Sequence, residues 1–121
     1  MSRQRINTMA INGEVDMILE HNLIRKNSGG PLFEVDQDLM DRATKNSEKM
    51  ADLRRLVHGP IGPGEAENIA AGYKLTVSGA IKMWLASPGH RKNIFGPYTK
   101  IGWGFSKRGD TYYYTVIFKS H

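Results

Sequence analysis

No cysteine occurs among the 121 residues. A disulfide framework and a thiolate-held metal are thereby excluded, which leaves histidine and carboxylate as the side chains able to hold an ion. No stretch approaches the roughly 18 consecutive apolar residues of a membrane-spanning helix. The start, MSRQRINTMAINGEVD, carries two arginines but neither a small-residue cleavage signal nor the apolar run of roughly 7–15 residues that a secretory leader needs. No internal repeat and no low-complexity tract is visible. Acid is scarce in the second half, where residues 68–121 hold one acidic residue, Asp110, against eight Lys/Arg.

What is present suits one folded domain over residues 1–121, with 1–11 as an N-terminal extension. Hydrophobic residues make up 40% and charged residues 24%, close to a globular average. The net charge of +5 is uneven: residues 1–41 sum to −3, 42–67 to +1 and 68–121 to +7. A field of that sign favours anionic surfaces such as cell-wall polymers, lipid headgroups or nucleic acid. The basic residues nevertheless stand singly or in pairs, Arg91-Lys92 and Lys107-Arg108, as on an ordinary solvated face. No groove-reading motif accompanies them, so nucleic acid is not an expected partner.

Periodicity gives an α+β chain. Asn12 is an N-cap for a first helix with Val15, Ile18, Leu19, Asn22 and Leu23 as its inward stripe, and Asn27-Ser-Gly-Gly-Pro31 stops it. Asp36 starts a second helix of about five turns, in which Leu39, Ala43, Ser47, Met50 and Leu53/Arg54 recur at three or four residues. Gly59-Pro-Ile-Gly-Pro-Gly64 breaks the pattern, since proline lacks a donor and glycine loses most entropy. A third helix runs from about Thr76 to Ala86 with Val77, Ala80, Ile81 and Trp84 on one side. Ser87-Pro88 opens a short fourth helix. His90 then lies in its first turn, where unpaired amides disfavour an imidazolium and leave a form able to bind metal or accept a proton. The last third turns to β: Lys100–Phe105 and Thr111–Phe118 form an antiparallel hairpin about Lys107-Arg-Gly-Asp110. The helices are expected to cover this antiparallel sheet. Tyr113 should face away from Tyr112 and Tyr114, with edge-strand packing as the default for all three.

Taken alone, His58 and His90 are structural histidines, because 32 residues separate them and no short-range metal spacing joins them. A wider pattern alters that. Leu19-Glu-His-Asn22 with Arg25, Leu39 with Ala43, Ser47 and Met50-Ala51, and Val57-His58 come first. Gly64 with Glu67-Asn-Ile-Ala70, and Trp84 with Ser87-Pro-Gly-His-Arg91 and Asn93-Ile94, follow. Ile101-Gly102 with Gly104, and Tyr112 to Phe118, complete it. In order and spacing, from about residue 15 to 119, these resemble the CAP superfamily (cysteine-rich secretory, antigen 5 and pathogenesis-related proteins; the SCP-like domain) in its short, cysteine-free bacterial form.

The resemblance implies an α-β-α sandwich, helices packed around a small antiparallel sheet, with a cleft lined by two histidines and two acids. His58 matches the first histidine, Glu67 the first acid and His90 the second histidine. The second acid is missing: the stretch that should carry it reads Trp84-Leu-Ala-Ser87. His58 and His90 become candidate ligands for zinc or another divalent metal, Glu67 the candidate catalytic acid or base, and Glu65, Asn68 and Ser87 candidate cleft-lining residues. Glu65 competes with Glu67 for the acid role and otherwise reads as a solvated loop carboxylate. His21 and Asn22 read as packing and hydrogen-bonding residues, and Trp84 as core.

Three functions follow as expectations. The first is a cleft binding module for a lipid, glycan or protein, extracellular or at a surface as in most relatives. The second is a metal-assisted hydrolase of peptide or cell-wall material, with His58 and His90 holding the ion and Glu67 deprotonating water. The third is a structural or adhesive part of a larger assembly such as a phage particle, which a chain lacking a leader would fit, with a virion or cytoplasmic location. No serine or cysteine nucleophile stands beside an obvious base, so covalent catalysis is not expected.

Overall fold

A computed structural model describes residues 16–121, with side chains from Met17 onward; the Asn12 cap, Val15 and the extension over 1–11 lie outside the described residues. Four helices and four strands follow in the order α1 (Asp16–Asn27), β1 (Glu34–Val35), α2 (Gln37–Leu53), β2 (Glu65–Tyr73), α3 (Val77–Leu85), α4 (Pro88–Ile94), β3 (Lys100–Arg108) and β4 (Thr111–Lys119). The strands form one sheet in the order β1-β3-β4-β2. It is antiparallel except for the two-residue β1, which runs parallel to β3. The expected α+β sandwich is present.

Side-chain alternation along the strands divides the core into two layers. On one side of the sheet Ile101, Tyr114, Val116, Phe118, Ala66 and Ala70 meet Met17 of α1, Ala80, Ile81 and Trp84 of α3 and Ile94 of α4. On the other side Ile69, Tyr113 and Ile117 meet Leu39, Ala43, Met50 and Ala51 of α2. Tyr113 therefore opposes Tyr112 and Tyr114, as the alternation requires. The edge-strand expectation fails, because β4 lies between β3 and β2 with a helix layer on each side.

Helix α2 is held to β3 backbone against backbone. A Cβ on Gly102 would sit 2.3 Å from the main chain of Leu39 and Met40, and one on Gly104 2.3 Å from that of Thr44. Only glycine lets the helix lie so close. Asp36 caps α2 by accepting from the Leu39 amide at 3.0 Å. At the far end Leu53 is exposed and Arg54 takes the left-handed cap position with φ 57°, so the inward stripe ends at Met50 and Ala51.

Helix α1 departs from the expected stripe. Leu19 and Leu23 are 54% and 49% exposed, and the buried positions are Met17, His21 and Arg25, spaced i, i+4, i+8. Polar tethers set this orientation. Arg25 donates to four carbonyls, Ile94 (2.8 Å), Pro31 (2.8 Å), Gly96 (2.8 Å) and Tyr98 (2.9 Å), and its guanidinium lies 3.8 Å from the Phe33 ring centre. Asn22 makes a reciprocal pair with the backbone of Phe33. His21 donates through Nδ1 to Met17 O at 2.7 Å, and its ring packs among Phe33, Trp84 and Phe118.

Two strands escaped the sequence. In β2, Ala, Glu, Asn and Gly outnumber β-branched residues, so its strand identity comes from pairing nine residues against β4 rather than from propensity. In β1, two residues carry no period. The hairpin turn is also tighter than expected: Lys107 and Arg108 pair with Tyr112 and Thr111, and only Gly109-Asp110 turn, with Gly109 at φ 59°.

Candidate functional site

The Gly-Pro loop that follows α2 delivers His58 to the edge strand β2. Residues 65, 67 and 69 of that strand face α2, and residues 66, 68 and 70 face α3 and α4. Glu67 thus points toward the α2 side, with its side chain 1% exposed, while His58 beside it is 62% exposed. Nδ1–H of His58 donates to Glu67 Oε1 at 2.7 Å, and the amide of Gly59 donates to the same oxygen at 3.0 Å. Burial pushes the Glu67 carboxyl above its ordinary pKa, against the opposing pull of these two donors. A carboxylate at Nδ1 fixes the ring, and in the neutral imidazole it selects the tautomer in which Nε2 is the acceptor.

His58 and Glu67 border a cleft of about 480 Å³ along the β2 edge, together with Ile61, Glu65, Lys92, Asn93 and Tyr98. Glu65 is there, as expected, but not as a loop carboxylate. It is the first residue of β2, its side chain is 6% exposed, and Arg42 grips it with bonds of 2.7 and 3.0 Å. That guanidinium, with the Gly62 amide at 2.8 Å, holds the Glu65 carboxyl down at a pKa of about 2. Arg42 also reaches Pro60 O, so the pair fastens the loop that carries His58 to α2.

Asn68 and Ser87 do not line this cleft. Asn68 points to the other face of the sheet, donates to His90 O at 3.1 Å and accepts from Asn93 at 2.8 Å. It anchors α4 to β2, the structural role its position allowed. Ser87 is the N-cap of α4 by backbone conformation, yet its hydroxyl makes no cap bond and instead meets His90 Nδ1 at 3.0 Å. His90 is half-buried in the first turn of α4, on the layer beyond β2, and is not among the residues lining the cleft. Trp84 is core, donating to Ile69 O at 2.9 Å.

A catalytic zinc takes three protein ligands and a water. Among the described residues no three of His, Cys, Asp and Glu come together so that they could hold a metal ion. Oε1 of Glu67 is taken by His58 and Gly59, and the His90 ring is turned to Ser87. The residues present do not fit a three-ligand centre.

The residues missed by sequence reasoning are Arg42 and Asn46. Asn46 is buried in α2 and donates to Val57 O at 3.0 Å and to Thr115 Oγ1 at 3.3 Å, so it too ties down the loop before His58. An asparagine beside the inward stripe of Ala43, Ser47 and Met50 was the available signal.

Residues 18–118 match the cysteine-rich secretory protein family, CAP. The chain belongs to that family. The YkwD protein of Bacillus subtilis strain 168 is 32% identical over 73% of the chain, and the chain spans only 40% of that protein's length. Among solved structures, an outer surface protein of Borrelia burgdorferi superposes with a TM-score of 0.79 at 21% identity, covering 90% of this chain and 92% of that one. The SCP domain of an extracellular protein from Bacillus anthracis str. Ames gives 0.78 at 28% identity, covering 88% of this chain and 40% of that protein. The CAP fold here needs no disulfide, since the chain has no cysteine. No described helix is long and apolar enough to cross a membrane.

Proposed function

We propose that this CAP domain is a binding module whose recognition element is the cleft at the β2 edge, and that its ligand is a glycan. The observation that carries the reading is the 2.7 Å bond from His58 Nδ1 to the buried Glu67 carboxyl, which presents an oriented imidazole Nε2 at the mouth of a preformed hollow. The other walls suit sugar hydroxyls: Asn93 and Lys92 offer hydrogen bonds, and Tyr98 offers an aromatic body. A lipid would ask for a more apolar lining. An extracellular or surface setting belongs to the same proposal, supported by the extracellular relative from Bacillus anthracis.

Chitotriose titrated into the isotope-labelled chain tests it. Saturable shifts at His58, Asn93 and Tyr98 are expected, with His58→Ala weakening binding about tenfold, the scale of one well-placed polar contact. Shifts scattered over the surface, or none, would overturn the glycan reading. A second reading, hydrolysis with His58 Nε2 as general base, is favoured by the same oriented dyad. It requires turnover of a cell-wall fragment that both His58→Ala and Glu67→Gln abolish. A divalent ion shared by the two imidazoles would need the His90 ring to turn from Ser87 toward the cleft. Zinc calorimetry on wild type and the His58→Ala/His90→Ala double variant should give equal heats, and a saturable heat confined to wild type would restore the ion.

A further inference from the structure

A second hollow, of about 190 Å³, lies on the other side of Glu67 from His58, between α2 and the loop at Gly59-Pro60. Its wall on α2 is built by Arg42, Lys45, Asn46 and Lys49, which the helical period sets on one face. Two acceptors at its base, Asn46 Oδ1 and Glu67 Oε2, are buried and have no hydrogen-bond partner. Turning the Asn46 amide over does not help, because Nδ2 already donates to Val57 O and Thr115 Oγ1.

Both orphaned oxygens converge on one point. A Cβ on Gly59 would lie 2.9 Å from Asn46 Oδ1 and 3.2 Å from Glu67 Oε2, so only glycine lets the loop pass this close to both oxygens, and any larger residue would crowd them. A buried acceptor without a donor loses its hydration with nothing in return, so a donor belongs there. One water would answer the local need, yet the hollow far exceeds the roughly 10–15 Å³ a single water requires. At the rim Arg42 is spent on Glu65 and Asp38, while Lys45 and Lys49 form no salt bridge with any described residue.

Acceptors at the base and ammonium groups at the rim, of which Lys49 already acts on Glu67 through its charge, ask for hydroxyl donors joined to an anion. We propose that this hollow binds a polyol phosphate, two of its hydroxyls donating one each to Asn46 Oδ1 and Glu67 Oε2 and its phosphate meeting Lys45 and Lys49. Lysine serves phosphate as a mobile point charge, which suits two exposed side chains one turn apart. The same glycerol-phosphate chemistry is met in a free metabolite and in a lipid headgroup. This inference does not rest on the glycan reading, since His58, Lys92, Asn93 and Tyr98 take no part in the hollow.

The test is titration of the full chain with sn-glycerol 3-phosphate, followed by NMR at the Gly59 backbone amide and the Asn46 side-chain amide. Glycerol alone and inorganic phosphate alone are run at matched ionic strength. Glycerol 3-phosphate should saturate with an affinity about tenfold above either half, since it alone holds two hydroxyl donors a carbon chain away from the charge. Lys45→Gln/Lys49→Gln, on an exposed face, should weaken it several-fold and flatten its salt dependence. Gly59→Ala should abolish it by crowding the two oxygens, and His58→Ala should leave it intact while weakening chitotriose binding. Co-sedimentation with phosphatidylglycerol vesicles, reversed by free glycerol 3-phosphate, would assign the headgroup as the source; binding to the free compound without co-sedimentation would assign the metabolite. Equal affinity for inorganic phosphate and glycerol 3-phosphate, or undiminished binding by Gly59→Ala, would overturn the proposal and leave only ordered water at the base.

Discussion

The two faces of the sheet solve burial in opposite ways. Under α1, α3 and α4 the core is aromatic and thick: Trp84, Phe33, Phe118 and Tyr114 fill it, and polar side chains, His21 and Arg25 among them, are buried there too. Under α2 the core is thin, with helix main chain against strand main chain at Gly102 and Gly104 and a seam of Asn46, Ser47 and Thr115 between. On the thick side a base and a cation are sealed in with almost no freedom. On the thin side polar atoms reach the edge of the sheet, where the Gly59 loop opens hollows around Glu67. Binding chemistry collects where packing is polar and shallow, because a densely filled aromatic layer leaves no room for a ligand.

The comparison breaks most severely at the glycines. Gly102→Ala or Gly104→Ala would force a methyl group into the α2 backbone, and each should cost upward of about 3 kcal/mol in urea unfolding or prevent folding. Gly89→Ala, with nothing within 4 Å of the added carbon, is the control and should be nearly silent. A mild Gly104→Ala would mean the thin face is less tightly packed than its contacts imply.

Arg25 comes next. Arg25→Met keeps the aliphatic contact with Phe33 but leaves four carbonyls without their donor, and should cost about 3 kcal/mol in the same measurement. Arg25→Lys, which keeps the charge but not the fork, should fall between.

His21 gives the thick face a pH signature. Burial, joined by the nearby Arg25 charge and resisted by the bond to Met17, lowers its pKa from the ordinary 6.5 to about 4. Between those values the unfolded chain holds the extra proton, so stability should fall as pH drops from about 6.5 toward 4, by roughly 3 kcal/mol in all. His21→Leu should flatten that stretch of the stability curve. Glu65 on the thin face acts lower. Its pKa of about 2, set first by Arg42, means its contribution is complete above about 4.5 and disappears as pH falls toward 2. Glu65→Gln should remove that acid limb. An unchanged slope between pH 6.5 and 4 in His21→Leu would show that other groups carry it.

His58 is the smallest case for stability. It is mostly exposed, so His58→Ala should move the unfolding midpoint little while changing ligand binding at the cleft. A large loss of stability would make His58 a structural strut of the loop rather than part of a recognition surface.

Much of this protein is legible without coordinates. Asp36 and Thr76 announce their helices because a side-chain oxygen at an N-cap meets an amide three residues on, a local event. Val77, Ala80, Ile81 and Trp84 show their buried face by period alone. The alternation of Tyr112, Tyr113 and Tyr114 likewise follows from the pleat. Glu65 beside Arg42, the inward turn of α1 and strand β2 were not legible, since each depends on a partner dozens of residues away. Leu19 and Leu23 look more buriable than His21 and Arg25 until the carbonyls at 94, 96 and 98 are in place to receive the guanidinium.

By itself, then, the order of residues determined the helices, the hairpin and the family, because these rest on local period and on motifs that carry their own spacing. Only the tertiary structure decided that His90 turns to Ser87, that Asn68 serves α4 rather than the cleft, and that Gly59 stands guard over two unpaired oxygens. The physical reason is the two-residue alternation of β2: neighbours in sequence at 67 and 68 emerge on opposite faces of the sheet, and what each then meets is chosen by packing rather than by sequence.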